Sequence, residues 1–236
     1  MEKSDRLGGQ VDLAVKPPHK DKLYWCIEDL HTACKKLGVE IRLSSEVTKK
    51  TVEDMKPYAV IVATGAYAVK PKFIKGYDRD NVYTTTEILD GSVKLENKKV
   101  TVAGSGMTGL ETAEMLTLTN NKVTIVEMAD SIGPGVWMQH VDDIMPRLKE
   151  KKVKFLTSRK LTEISDSFIT VEDKKGNKEK LDADYVVLSL GAKSDNTLYE
   201  EIKNISENVY LIGDSEKVGR IANATRSAFE CVKNIK

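Results

Sequence analysis

The sequence predicts an α/β protein built of two three-layer units with parallel sheets, in which the second unit is inserted into the first. Residues 99–127 read as strand, glycine turn, helix, second strand and terminal acid, the order of a βαβ unit. Residues 58–65 and 185–191 are each an apolar strand that ends in glycine, which indicates two related units. The predicted inner unit covers 67–204, and the outer unit comprises 1–66 together with 205–236.

The glycine turn of the inner unit fits the pattern G-x-G-x-x-G. In such a turn the first glycine permits the tight bend and the second lets backbone approach a pyrophosphate. The third lets the following helix lie close on the sheet. The N–H groups and dipole at the start of that helix favour an anion. The pattern therefore predicts a Rossmann-like dinucleotide site that includes Gly104, Ser105, Gly106, Met107, Thr108 and Gly109.

An acid, Glu127, ends the second strand of this unit. A carboxylate at that position accepts hydrogen bonds from an adenosine ribose 2′-hydroxyl and repels a 2′-phosphate, so NADH is predicted over NADPH. Gly191, which ends the buried strand of residues 185–190, is assigned to the same cofactor site. The competing interpretation is a βαβ unit whose glycine turn holds no ligand.

The composition argues against nucleic-acid binding, a membrane span and secretion. The chain has 236 residues, of which 40% are hydrophobic and 31% are charged, and its formal net charge is +1. No basic excess indicates nucleic acid, and no apolar run approaches the ~20 residues of a membrane span. The first residues lack the apolar core of a signal peptide. We therefore predict a cytoplasmic protein with no nucleic-acid or membrane partner.

Cysteine and histidine usage argues against metal and dithiol chemistry. Cys26, Cys34 and Cys231 are scattered, odd in number and form no C-x-x-C. This argues against a disulfide framework, a zinc site, an iron–sulfur cluster or a redox-active dithiol in this chain. The three histidines are unclustered. No catalytic residue and no metal ligand is predicted.

The other elements follow from hydrophobic spacing and turn residues. A helix over 19–37 ends at Gly38, and alternation predicts a strand over 39–43. Residues 66–98 show little periodicity and are predicted to be a crossover. A helix is expected over 136–150, kinked or restarted at Pro146. The remaining predicted elements are a short strand over 153–156, a meander over 160–181, a strand over 209–212 and a helix over about 219–235.

Four sequence features occur together in one order: Glu2 before Leu-Gly-Gly-Gln, Val-Ile-Val-Ala-Thr-Gly at 60–65, the central glycine turn, and Ile-Gly-Asp at 212–214. With these features the whole chain resembles the C-terminal half of the 2,4-dienoyl-CoA reductase and 2-enoate reductase family, old-yellow-enzyme-like NADH:flavin oxidoreductases. It is more weakly similar to glutathione-reductase-type flavoproteins and to trimethylamine dehydrogenase.

The resemblance implies that the outer unit binds FAD. It assigns the adenosine ribose to the acid near the N-terminus, the pyrophosphate region to the turn after the strand of 60–62, and the ribityl chain to the aspartate that follows the last strand. A helix N-terminus would face the pyrimidine end of the flavin. The residues implied are Glu2, Gly8, Gly9, Gln10, Val47, Ala63, Thr64, Gly65, Gly213, Asp214, Ile221 and Ala222.

The sequence departs from the family pattern before Glu2, where a strand and a second G-x-G-x-x-G would be expected. The barrel that carries FMN and the iron–sulfur cluster in the family also has no counterpart here. We therefore expect an excised fragment or a shortened reading frame, with weak or no FAD binding by this chain alone. The missing N-terminal barrel is then an expected partner, and a homo-oligomer stays open.

The resemblance also implies the chemistry. Hydride would pass from NADH on the inner unit to FAD on the outer unit, and onward to an activated carbon–carbon double bond bound in the barrel. The alternative is a non-catalytic module that holds ADP, as in relatives of trimethylamine dehydrogenase. A thioredoxin-reductase-like enzyme is disfavoured because the chain has no C-x-x-C.

Overall fold

The computed structural model of the protein describes residues 1–235. Its strands are β1 Val60–Val62, β2 Ala66–Ala68, β3 Val82–Thr84, β4 Lys99–Ala103, β5 Lys122–Val126, β6 Lys154–Leu156, β7 Lys160–Ile164, β8 Phe168–Glu172, β9 Lys178–Asp182, β10 Tyr185–Leu188, β11 Ala192–Ser194 and β12 Val209–Leu211. Its α-helices are α1 Gln10–Ala14, α2 Tyr24–Lys36, α3 Lys49–Met55, α4 Thr85–Leu89, α5 Met107–Thr117, α6 Met138–Glu150, α7 Thr197–Ile202 and α8 Ile221–Asn234.

The chain divides into two compact units. The outer unit comprises Met1–Asp12, Lys22–Tyr67 and the chain from Ala192 onward, and the inner unit comprises Leu13–Asp21 and Ala68–Gly191. The inner unit thus ends near 191 rather than near 204, because α7 belongs to the outer core. In that core Ile202 packs with Val52 and Val62.

A five-stranded parallel sheet forms the centre of the inner unit, with strand order β3-β10-β4-β5-β6. One face packs against α4, α5 and α6, where Val102, Leu110 and Leu148 are fully buried. The other face packs against the antiparallel meander β7-β8-β9, where Ile169 is fully buried. Because both faces are covered, the central strands are apolar along nearly their whole length. The predicted α/β class with a three-layer, parallel-sheet unit is confirmed.

Two predictions about local structure were wrong. The predicted crossover at 66–98 contains β2, β3 and α4, and β3 pairs with β10 at the edge of the central sheet. The segment 39–43 forms no strand. Within it, the Arg42 carbonyl accepts a hydrogen bond from Glu2 N at 2.8 Å. The other two backbone bonds to the N-terminal segment come just after it, from Ser44 N to the Ser4 carbonyl at 2.7 Å and from Ser45 N to the Glu2 carbonyl at 2.8 Å. One bond within the segment does not make a ladder.

Helix α6 runs from Met138 to Glu150 without a restart at Pro146. Its apolar side holds it in place, since Ile144 and Leu148 are both buried in the core of the inner unit. Burial of that side therefore compensates for the hydrogen bond that a proline cannot donate.

The outer unit has a smaller sheet, in which β1 and β12 pair in parallel with Val62 opposite Leu211. Within the described part of the chain β12 is the only strand that pairs with β1. A second two-stranded sheet joins β2 and β11. None of the helices described is long and apolar enough to cross a bilayer.

Candidate functional site

The glycine turn lies at the carboxyl end of β4, between β5 and β10. Gly104 has φ +99°, and a Cβ there would lie 2.3 Å from the Ser189 carbonyl oxygen that follows β10. A Cβ on Gly109 would lie 2.3 Å from the Gly104 carbonyl oxygen. The close approach of α5 to the turn and to β10 therefore requires glycine at both positions.

Gly106 differs from these two glycines. Apart from its two chain neighbours, a Cβ at this position would meet no atom of residues 1–235 within 4 Å, so the turn is open on this side. Gly106 is the N-cap of α5 and supplies no side-chain acceptor. The first N–H groups of a helix have no acceptor within the helix, and its dipole favours negative charge there. Open space and unpaired donors together fit the pyrophosphate of a dinucleotide, with Met107 and Thr108 on the first turn.

Glu127 follows β5, and its carboxylate is turned back onto the glycine turn. Oε2 accepts hydrogen bonds from Ser105 N at 2.8 Å and from Ser105 Oγ at 2.7 Å. Oε1 accepts from Ala129 N at 2.8 Å. The residue is 7% exposed. The carboxylate is therefore held in one orientation by donors on both sides.

The ionisation of Glu127 follows from these contacts. Burial raises the pKa of the carboxyl group, but the hydrogen bonds from Ala129 N–H, from the Ser105 hydroxyl and from Ser105 N–H together outweigh it and hold the pKa below its ordinary value. At neutral pH the site therefore presents a fixed carboxylate next to the turn.

Gly191 follows β10, the strand beside β4. Ser189 N donates to the Ala103 carbonyl at 2.8 Å, so the ends of the two strands and the turn share one edge of the sheet. Gly191 has φ +91° and is exposed. The structure thus brings the inner-unit residues of the predicted site together, and their role in binding a cofactor stays a prediction.

A further contact was missed from the sequence. Gly133 N donates to Ser105 Oγ at 3.0 Å, which ties the segment after Glu127 to the glycine turn. Gly133 has φ +74°, in the left-handed region that favours glycine. The only signal in the sequence is the Gly133-Pro134-Gly135 run, which reads as an ordinary turn.

In the outer unit the carboxyl ends of β1 and β12 lie side by side, since Ile212 N donates to the Val62 carbonyl at 3.1 Å. Gly213 N donates to Ser227 Oγ at 2.9 Å, and the Asp214 carboxylate accepts from Gly219 N at 3.0 Å, just before α8. Of the residues assigned to FAD, Ala63, Thr64 and Gly65 follow β1, Gly213 and Asp214 follow β12, and Ile221 and Ala222 begin α8. Their role in binding FAD stays a prediction.

The other residues assigned to FAD lie in different surroundings. Gly8 and Gly9 precede α1, and Gln10 Nε2 donates to the Ala66 carbonyl at 2.8 Å. The Glu2 carboxylate accepts from Ser4 N at 2.8 Å and Ser4 Oγ at 2.9 Å. Val47 packs against the small core of the outer unit. None of these contacts tests a role in FAD binding.

The fold and the edge of the central sheet define a protein with the FAD/NAD(P)-binding Rossmann-like fold of flavoprotein reductases. The chain belongs to the pyridine nucleotide-disulphide oxidoreductase family, which matches residues 28–228. The description of this family names a pyridine nucleotide and an oxidoreductase reaction.

The chain is similar to larger proteins over nearly all of its own length. It is 32% identical over 233 residues to NADH oxidase of Thermoanaerobacter brockii, covering 97% of this chain and 36% of that protein. It is 31% identical over 239 residues to cinnamate reductase of Clostridium sporogenes, covering 100% and 35%. The 2-naphthoyl-CoA reductase complex superposes with a TM-score of 0.92 at 29% identity, covering 98% and 35%. The chain thus spans about a third of the length of these relatives.

Proposed function

We propose that this chain is the NADH-binding, electron-transfer portion of a flavin oxidoreductase that reduces an enoate or dienoyl-CoA-type double bond. The observation that carries the proposal is the Glu127 carboxylate fixed on a glycine turn that is open at Gly106. An adenosine diphosphate unit needs these two features side by side.

Each part of the inner site has a task in this proposal. The N–H groups at the start of α5 hold the pyrophosphate, and the open space at Gly106 lets it approach the backbone. Glu127 accepts a hydrogen bond from the ribose 2′-hydroxyl, and its negative charge repels a 2′-phosphate. When bound, the nicotinamide supplies a hydride and the flavin accepts it. The protein itself binds and orients, and no side chain is assigned as acid, base or nucleophile.

FAD is assigned to the outer unit, with Thr64, Gly65, Gly213 and Asp214 near the dinucleotide. We expect FAD to bind weakly to this chain alone. The support is the two-stranded sheet of β1 and β12, in which β1 has a free edge within the described residues. A parallel sheet normally carries strands and helices on both sides of such a crevice.

The reaction of the whole protein is proposed from its relatives. Cinnamate reductase and 2-naphthoyl-CoA reductase are named for an unsaturated acid and an aromatic CoA thioester. Because this chain spans about a third of their length, we assign double-bond reduction to a longer protein. The family resemblance implies that an N-terminal barrel of that protein holds FMN and an iron–sulfur cluster. A dithiol role is not proposed, since Cys26, Cys34 and Cys231 form no C-x-x-C.

The proposal is tested by measuring NADH and NADPH binding to the purified chain, followed by dye reduction with added FAD. We expect NADH to bind at least about tenfold more tightly than NADPH, because a fixed carboxylate opposes the 2′-phosphate. Glu127→Gln should reduce this preference while the protein keeps its fold by circular dichroism. Failure of the wild-type chain to bind either nucleotide would overturn the proposal.

A second candidate is a non-catalytic ADP-binding module. This function is favoured because Glu127 and the glycine turn would both contact the adenosine ribose and pyrophosphate, which ADP and NADH share. In the longer parent protein, ADP that stays bound through purification, together with no NADH-dependent dye reduction, would favour this function. Rapid reduction of the dye by NADH would exclude it.

A further inference from the structure

The hydroxyl of Ser105 is completely buried, and its two hydrogen bonds run to different segments. It accepts from Gly133 N at 3.0 Å and lies 2.7 Å from Glu127 Oε2. An N–H group can only donate and an ionised carboxylate can only accept. The direction of both bonds is therefore fixed, and the hydroxyl proton points to Glu127.

This arrangement places both donors to Oε2 on one residue. The N–H and the hydroxyl of Ser105 converge on that oxygen, while Oε1 is held by Ala129 N–H. The Met128 N–H also helps to lower the pKa of this carboxyl group, so four donors from three residues surround it. A ligand hydroxyl would therefore meet a carboxylate whose orientation the protein has already fixed.

The buried hydroxyl is also poorly placed to serve a ligand directly. Its hydrogen bonds are made to Gly133 and Glu127 inside the protein, whereas the open side of the turn is at Gly106. Any effect of the Ser105 side chain on a nucleotide must therefore pass through Glu127 or through the segment around Gly133.

We propose that Ser105 is a positioning residue through which the inner unit selects adenosine nucleotides that carry a free 2′-hydroxyl, because it holds the Glu127 carboxylate on the glycine turn. This inference rests on the proposed nucleotide-binding function. It differs from a general packing role in one respect: it predicts a change in discrimination at the 2′ position, and not only a change in overall affinity.

The test compares ADP with 2′-deoxy-ADP, which differ only in the hydroxyl that Glu127 is proposed to bind. Isothermal titration of the full chain gives the affinity ratio for wild type, Ser105→Ala, Glu127→Gln and the double variant. We expect ADP to bind about tenfold more tightly than 2′-deoxy-ADP in wild type, as for a hydrogen bond to a charged acceptor. The ratio should fall to about threefold in Ser105→Ala.

The double variant separates positioning from packing. If Ser105 acts through Glu127, the affinity ratio of the double variant should equal the already low ratio of Glu127→Gln. The effects of the two substitutions would then not be additive, as is usual for residues in contact. Thr112→Val is the matched control. Thr112 lies on α5 and is fully buried like Ser105, but its hydroxyl makes no hydrogen bond to Glu127. This control should keep the wild-type ratio.

A wild-type ratio in Ser105→Ala would overturn the inference, whether or not the affinity for both nucleotides falls, because it would leave Ser105 with packing alone. Failure of wild type to bind ADP, NADH or NADPH would remove the proposed function along with the inference. Should Ser105→Ala not fold, Ser105→Cys retains a weak donor of similar size and should give an intermediate ratio. An unchanged ratio in that variant would count against the proposal.

Discussion

A Cβ on Gly109 would lie 2.3 Å from the carbonyl oxygen of Gly104 and 3.1 Å from the Cβ of Ser189. Real Cβ atoms do not approach backbone oxygens so closely, so α5 would have to move away from the turn. The third glycine of the motif is therefore required by packing of the protein against itself, whatever the turn binds.

We expect Gly109→Ala to lower the free energy of unfolding by about 1–3 kcal/mol, the usual cost of overpacking a buried contact. The better helix propensity of alanine offsets part of this cost. Urea denaturation followed by circular dichroism measures the change. A variant as stable as wild type would mean that α5 can shift at no cost.

Gly106→Ala should behave in the opposite way. The residue has φ −61°, which alanine adopts readily, and among the described residues the added methyl group meets only its own chain neighbours within 4 Å. We expect stability within about 0.5 kcal/mol of wild type. The affinity for NADH should fall by about tenfold or more, because the methyl group occupies the approach to the helix N-terminus. Undiminished NADH binding, measured by fluorescence titration, would place the pyrophosphate elsewhere.

Acid should weaken the protein partly through Glu127. Its pKa is held below the ordinary value of 4.5 in the folded chain. A depressed folded pKa means that the stabilisation is present above the unfolded value and is lost as pH falls through the folded value. Between about pH 6 and pH 3, wild type should therefore lose more stability than Glu127→Gln, which has no proton to bind there. Parallel urea midpoints for the two proteins across this range would contradict the assignment.

The contrast between β4–α5–β5 and its neighbours explains how much the sequence could predict. Strand, turn, helix and acid follow one another within residues 99–127, so the local sequence pattern was sufficient to predict this βαβ unit. The three-residue strand β3 is held by pairing with β10, about a hundred residues later in the chain. Its sequence, Val82-Tyr83-Thr84, carries no periodicity that could reveal this partner.

The same distinction holds within the candidate site. Glycine at 104 and 109 could be predicted because the motif encodes local geometry. The contact between Ser105 and Gly133 joins residues 28 positions apart, with α5 and β5 between them, and only the folded chain shows it. The alternation at 39–43 misled for the opposite reason. It offers a strand pattern, but only one backbone hydrogen bond, from Glu2 N to the Arg42 carbonyl, joins it to the N-terminal segment.

Removing an unsatisfied buried hydroxyl should stabilise the inner unit. Thr112 is fully buried on α5, and its hydroxyl has no hydrogen-bond partner within residues 1–235. Valine keeps the shape without the desolvated polar atom, so Thr112→Val should raise the free energy of unfolding by about 1 kcal/mol. Thr119→Val is the control. Its hydroxyl donates to the Leu95 carbonyl at 2.7 Å, and its loss should lower stability by about 1 kcal/mol.

The ion pair between α5 and α6 should show strong non-additivity. The Glu114 side chain is 6% exposed and meets Arg147, which is 30% exposed and also bonds Asp143. Hydrogen bonds to Glu114 raise the pKa of Arg147 and keep it charged. Arg147→Met leaves a buried carboxylate without its partner and should cost about 2–3 kcal/mol, at the low end for a buried pair because water reaches the guanidinium.

Replacing both partners removes that penalty. Arg147→Met combined with Glu114→Leu should recover most of the lost stability, because two apolar side chains of similar volume pack without burying any charge. Urea denaturation of the two single variants and the double variant gives the coupling energy directly. Additive losses would show that the pair contributes through packing of its alkyl chains and not through charge.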